Sequence, residues 1–130
     1  MNSALSQDPI NTRYLITKGS ILARVHQYEE ALQCLNLACK SNPNIRDSHF
    51  YRGQILTKMG NITEAIRAYS TEIQVNSKSR ISYIGRAVCF TLLRHYKEAL
   101  SNLDTALGTE PNDPLVYIVK AAVFYLIGHF

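Results

Sequence analysis

Apolar residues recur along this chain three and four positions apart, and no segment alternates residue by residue between apolar and polar. Leu15 and Leu22 fall on one helical face, and Leu32 and Leu35 on another, so each predicted helix carries a single apolar stripe. The pattern predicts an all-α protein without strands. Proline interrupts it at Asn42-Pro43 and at Pro111-Asn112-Asp113-Pro114, where one helix must stop and the next can start. Asp8-Pro9 is placed to open the first helix in the same way.

The stripes repeat at a fixed distance. Tyr28-Glu29-Glu30-Ala31-Leu32 returns as Ile62-Thr63-Glu64-Ala65-Ile66 and as Tyr96-Lys97-Glu98-Ala99-Leu100, each copy 34 residues after the last. In that register Gly19 aligns with Gly53, Ala87 and Ala121, while Leu22 aligns with Leu56, Phe90 and Phe124. Small residues meet small ones and large meet large. A period of 34 accommodates two helices of about 14 residues with two short turns, the small residues standing where the paired helices approach.

These residues resemble the tetratricopeptide repeat, which has this period and this order of leucine, glycine, alanine, aromatic residue and closing proline. The resemblance implies a right-handed α-solenoid of antiparallel helix pairs. Its units would run over 12–45, 46–79, 80–113 and, as a first helix only, 114–130, after a lead-in over 1–11. The second unit departs from the pattern at His49, Glu72 and Ser77, which stand for a large hydrophobic residue, an alanine and a proline; its packing is expected to be weaker.

In this family the first helix of each unit lines a concave groove, through positions 2, 5, 6, 9, 12 and 13. At about 100° per residue these six fall within an arc of roughly 120°, opposite Leu15, Gly19 and Leu22. Partner contacts are therefore expected from Arg13, Arg24, Phe50, Tyr51, Gln54 and Lys58 in the first two units, and from Ile84, Val88, Ile118, Ala122 and Tyr125 in the last two. The first half of the groove is mixed and partly basic. The second is apolar, with Ile81, Leu92, Leu115, Val119 and Leu126 in the same set.

The last segment, from Pro114 to Phe130, is apolar nearly all round apart from Lys120 and His129, as helices buried on several sides are. It is expected to meet a further helix, either from a longer repeat array or from a partner. It falls short of the roughly 20 apolar residues of a membrane span. Lys18, Arg52, Arg86 and Lys120 recur at position 7 of the four units, about 160° from the groove centre. There a long stem covers the packed seam while its charge reaches water, so this basic ladder is expected to be structural.

Composition sharpens the picture only slightly. The chain has 130 residues, 46% of them apolar, and a net charge of +4 whose 14 basic residues are spread over every segment. Cys34, Cys39 and Cys89 form no CxxC pair and no zinc spacing, which suits buried thiols in a reducing, intracellular, cytoplasmic setting. The opening residues show neither a basic leader nor an apolar signal core. Asn61-Ile62-Thr63 matches a glycosylation sequon that this setting leaves unused. His26, His49, His95 and His129 are scattered, and no phosphate loop, HExxH or GxSxG motif is present, so neither catalysis, nor a metal, nor a cofactor is expected.

The family's chaperone-binding subclass clamps a carboxylate with lysine at position 5 and asparagine at position 9 of its first unit, asparagine at position 6 of its second, and basic residues at positions 2 and 6 of its third. Here those are Ile16, Ser20, Tyr51, Ile81 and Gly85. The clamp is absent. RNA-reading helical repeats have a period of 35 and a polar groove, neither of which fits. The expected function is a protein-interaction scaffold that takes a peptide or helix with aliphatic anchors; self-assembly through the apolar last helix is the alternative, with RNA binding along the basic residues a more remote one.

Overall fold

A computed structural model describes residues 9–128. Among these residues the chain forms seven helices and no strand: α1 (Pro9–Arg24), α2 (Tyr28–Ser41), α3 (Ser48–Lys58), α4 (Ile62–Val75), α5 (Arg80–Leu92), α6 (Tyr96–Thr109) and α7 (Pro114–Ile127). The fold is the all-α helical repeat that the 34-residue period predicts. Helix α1 is already under way at Pro9, three residues before Thr12. Asp8, His129 and Phe130 lie outside the described residues, and with them the expected opening of α1 by Asp8-Pro9.

The turns inside each pair are built alike. His26, Gly60 and Arg94 occupy the left-handed region at φ +65°, +88° and +66°. The N–H of His26 donates to Ala23 and that of Gln27 to Leu22, at 3.1 and 2.9 Å. The same two bonds recur from Gly60 and Asn61 to Thr57 and Leu56, and from Arg94 and His95 to Thr91 and Phe90. This Schellman geometry satisfies the last carbonyls of α1, α3 and α5 and reverses the chain in three residues. Only Gly60 has the residue type that adopts this conformation without strain.

The turns between pairs rest on polar side chains. Asn42, Asn76 and Glu110 are extended and donate their N–H to Ala38, Glu72 and Ala106. Asn42 and Asn76 each turn their side-chain oxygen onto the N–H two residues on, that of Asn44 and of Lys78. Helix α7 then starts on Asp113, whose carboxylate accepts from the Leu115 N–H at 3.0 Å and pairs with Arg80 at 2.6 Å.

Helix α3 has no cap of its own, because Asp47 sits at φ +80° with its side chain turned away. Glu72, on α4, supplies one instead. Its two carboxylate oxygens accept from the N–H groups of Asp47, at 2.8 Å, and Phe50, at 3.3 Å. Glu72 is fully buried. At this position the other units have alanine, and the sequence pattern marks the glutamate as a packing defect. The structure shows the opposite: a buried anion sits at the positive end of α3 and satisfies donors that would otherwise be orphaned.

The core is divided into three parts, each bridging one pair and the first helix of the next. Ile16, Leu35 and Ile45 pack with Ile55; Leu56, Ala68 and Tyr69 with Cys89; Ile84 and Leu103 with Val116 and Val123. The small residues are required by geometry. A Cβ at Gly19 would lie 2.8 Å from the Leu35 side chain, and Cβ atoms at Gly53 and Gly85 would lie 2.8 and 2.5 Å from the Tyr69 ring. Tyr69 thus fills the space between α3 and α5, and its burial pushes the hydroxyl up to about 12.

Three rungs of the basic ladder are engaged along the seams. Arg52 donates to Asn36, Arg86 to Asn102 and Ser70, and Lys120 to Asp104, at 2.8 to 3.1 Å. Lys18, on the first helix, is exposed.

Removing the Glu72 carboxylate should unpair the start of α3. Glu72→Ala is expected to lower unfolding stability by about 1–3 kcal/mol, and Glu72→Gln, which keeps one acceptor, by less. Urea unfolding followed by circular dichroism measures both. Equal stability of Glu72→Ala and the parent chain would mean that the cap contributes nothing.

Candidate partner-binding groove

The first helices α1, α3, α5 and α7 stand in sequence order. Helices α3 and α5 are covered on one flank by the unit before and on the other by the unit after. Among the described residues α1 has no unit before it and α7 none after it. At 100° per residue, positions 3 and 10 point to about 280–300° and positions 5 and 12 to about 120–140°. Burial follows these two flanks. Positions 3 and 10 are exposed on α1, with Tyr14 at 61% and Ile21 at 53%, but fully buried on later helices at Ser48, Ile55, Ser82, Cys89, Val116 and Val123. Position 5 behaves in the opposite sense. Ile16 and Ile84 are covered by the next unit, whereas Ile118, with no helix beyond it among the described residues, is 66% exposed.

The open strip is therefore narrower than the six-position arc, consisting of positions 2, 6, 9 and 13. By its register Ile84 is expected among the groove contacts. The structure places it in the core against Val116 and Val119, at the edge of the arc where the following helix closes over it. Phe50, at the same position, is half-buried and lies against Tyr51 and Tyr69, ring centroids 5.3 and 5.9 Å away. Tyr51 and Val88 are half-buried, and Arg13, Arg24, Gln54, Lys58, Ala122, Ile118 and Tyr125 are exposed.

Along the strip the chemistry changes. Arg13 pairs with Asp47 at 3.7 Å across the first two units. Arg24, Tyr51, Gln54 and Lys58 converge on one cavity of about 540 Å³, floored by Ala23 and Ile55 and completed by Ser20, His26 and Tyr28. Farther on the strip is aliphatic, with Ile81, Leu92 and Leu115 exposed and Val88 and Val119 half-buried. At Gly85 the Tyr69 ring lies so close that a Cβ would come within 2.5 Å of it.

His26 and Tyr28 were not among the residues expected from the sequence. Both lie just past α1, outside the helical register that defines the strip. Their imidazole Nδ1 and phenol oxygen are 2.8 Å apart, with the rings edge to face. Position 13, Arg24, is the signal that points to them, since the Schellman turn folds the next residues back beside it.

Cys39 and His49 also meet, Sγ to Nδ1 at 3.6 Å, with Ser48 and Arg52 nearby. Burial pushes the Cys39 thiol up and the His49 imidazole down. An activated thiolate beside an imidazolium needs the reverse on both counts. Among the described residues no three His, Cys, Asp or Glu side chains could together hold a metal ion, and no helix is long and apolar enough to cross a membrane.

Residues 24–106 match the family model of anaphase-promoting complex, cyclosome, subunit 3. The chain belongs to that family. A search of curated proteins found no match. Among solved structures, the first tetratricopeptide domain of human RPAP3 matches with a TM-score of 0.89 at 17% identity, covering 94% of this chain and 96% of that one. The first such domain of Spaghetti (RPAP3), bound to the HSP90 peptide SRMEEVD, matches at 0.87 and 17%, covering 93% and 96%. YrrB, described as having an unusual peptide-binding site, matches at 0.79 and 22%, covering 85% of this chain and 57% of that one. At these identities the likeness establishes the fold.

The flank rule predicts different outcomes for one substitution at two equivalent positions. Ile84→Ala should cost about 2–4 kcal/mol through the cavity it leaves, while Ile118→Ala should change stability by less than about 0.5 kcal/mol. Chemical denaturation of the two variants compares them directly; similar losses would show that α7 is covered in solution.

Proposed function

We propose that the chain is a protein-interaction scaffold that holds a peptide or helix of a partner along positions 2, 6, 9 and 13 of its units, taken as 12–45, 46–79, 80–113 and the helix that begins at Pro114. The observation that carries this reading is the aliphatic strip of Ile81, Leu92 and Leu115, whose exposures are 39, 57 and 46%. These positions face neither flank, so no neighbouring unit of a regular array would cover them. Exposed aliphatic side chains of this kind favour a ligand with matching aliphatic anchors. The peptide-bound domain of Spaghetti supports the general mode of use for this fold.

The carboxylate clamp is not part of the proposal. Ile16, one of the five clamp positions, is 3% exposed and belongs to the core, and Ser20, Tyr51, Ile81 and Gly85 offer none of the required lysine, asparagine or basic groups.

A display selection of random peptides against the chain tests the proposal without a known partner. Selected peptides should carry spaced aliphatic residues and should lose about tenfold or more in affinity, close to 1.4 kcal/mol, for the double variant Leu92→Lys and Leu115→Glu. Each new charge suits its own helix end, the cation at the end of α5 and the anion at the start of α7, so the fold should be kept. Undiminished binding to the folded variant would move the site elsewhere.

A second reading, self-association through α7, is favoured by the exposure of Tyr117, Ile118, Phe124 and Tyr125 at 50 to 66%. If these residues join two copies, sedimentation velocity should show a concentration-dependent dimer that Ile118→Glu with Phe124→Glu dissociates. A monomer at all concentrations would exclude this reading.

A further inference from the structure

The cavity between the ends of α1 and α3 differs from the aliphatic half of the groove in having a surplus of hydrogen-bond donors, and no acid lines it. We propose that it is a subsite for a phosphorylated serine or threonine side chain on the bound partner. The inference rests on the reading of the groove as a partner-binding surface and adds the chemistry of one contact.

Four observations converge. Arg24 and Lys58 both line the cavity, and among the described residues neither makes an ion pair. No aspartate or glutamate is in the lining. Asp47, the acid on the same strip, is paired with Arg13. The volume, about 540 Å³, lies within the range of roughly 300–1,000 Å³ typical of ligand sites.

The donors are varied in kind and suited to a phosphoryl group. A guanidinium presents a planar fork of N–H groups, an ammonium a compact point charge. The Gln54 amide adds two N–H groups and the Tyr51 hydroxyl can add one, while the Tyr28 hydroxyl is held against His26 Nδ1 at 2.8 Å. The Ser20 hydroxyl is already spent on the Thr17 carbonyl at 2.9 Å. A phosphate monoester carries a charge of about −1.5 to −2 and three acceptor oxygens, enough to engage both cations at once. A side-chain carboxylate carries a charge of about −1 and one oxygen fewer.

Arg24 and Lys58 are the basic residues of the last turns of α1 and α3. The negative ends of those helices stabilise each cation and offset the repulsion between them; the same field opposes an anion, so a phosphoryl group needs both cations to be held there. The aliphatic strip beyond this cavity would then fix the polarity of the ligand, with its phosphorylated residue at the first two units and its apolar anchors toward the last two.

The test uses the whole chain and O-phospho-L-serine as probe, titrated at constant ionic strength and followed by ¹H–¹⁵N NMR. The expected result is saturable movement of the Gln54 side-chain amide and of the Arg24 and His26 signals. Arg24→Gln should weaken binding roughly tenfold, and Arg24→Gln with Lys58→Gln should abolish it. Both sites are exposed, so the helical spectrum should persist. L-glutamate and inorganic sulfate serve as the other arms. Equal saturation by glutamate, equal saturation by sulfate, absence of saturation, or binding undiminished in the folded double variant would each overturn the proposal. None of these outcomes bears on the aliphatic strip, which the Leu92 and Leu115 variant tests separately.

Discussion

Every helix pair in this chain buries its apolar sides only against the pairs before and after it, and that dependence on neighbours organises the rest of the structure. Tyr69 shows the constraint at its tightest. Its ring fills the space left by Gly53 on one side and Gly85 on the other, so α4 joins α3 to α5 through one side chain. Movement of either glycine helix away from the ring would open a void on that side. Contact of this kind propagates register from unit to unit, although no residue of the first unit need touch the last.

The same dependence explains why a register position has no fixed burial. Ser48 and Ser82 are fully buried while Tyr14, the corresponding and larger residue, is exposed. Hydrophobicity does not decide between them. What decides is whether a preceding unit covers that flank. Ile16, Ile84 and Ile118 make the complementary case with one residue type throughout, and only the last of the three faces solvent.

The period, the helix pairs and the seam role of the basic ladder were legible in the sequence because each depends on spacing along one helix. The parts that were not legible depend on chain segments brought together from a distance. Ile84 satisfies the angular test for the groove, but the test treats each helix as isolated and cannot register the flank closed by α7. Glu72 breaks the alanine pattern, and nothing in its own helix shows that the uncapped start of α3 lies against it. His26 and Tyr28 follow a Schellman turn, whose reversal sets residues outside the helical period beside Arg24. In each case the missing information is a contact between segments.

Charge along the groove can be understood from the same architecture. Positions facing a flank are constrained by packing, so polarity can vary freely only at positions 2, 6, 9 and 13. In the first two units these include Arg13, Asp47, Arg24 and Lys58, of which the first two neutralise each other. In the last two they are almost wholly aliphatic. A ligand lying along the strip would therefore meet two kinds of surface in a fixed order, and its direction would be set by the order alone. Reversal would bring aliphatic anchors onto two cations and an anion onto Leu92 and Leu115, losing both contacts while desolvating the charge. For such a ligand, orientation would be a consequence of which positions the repeat leaves free, without any residue dedicated to reading the ends of the ligand.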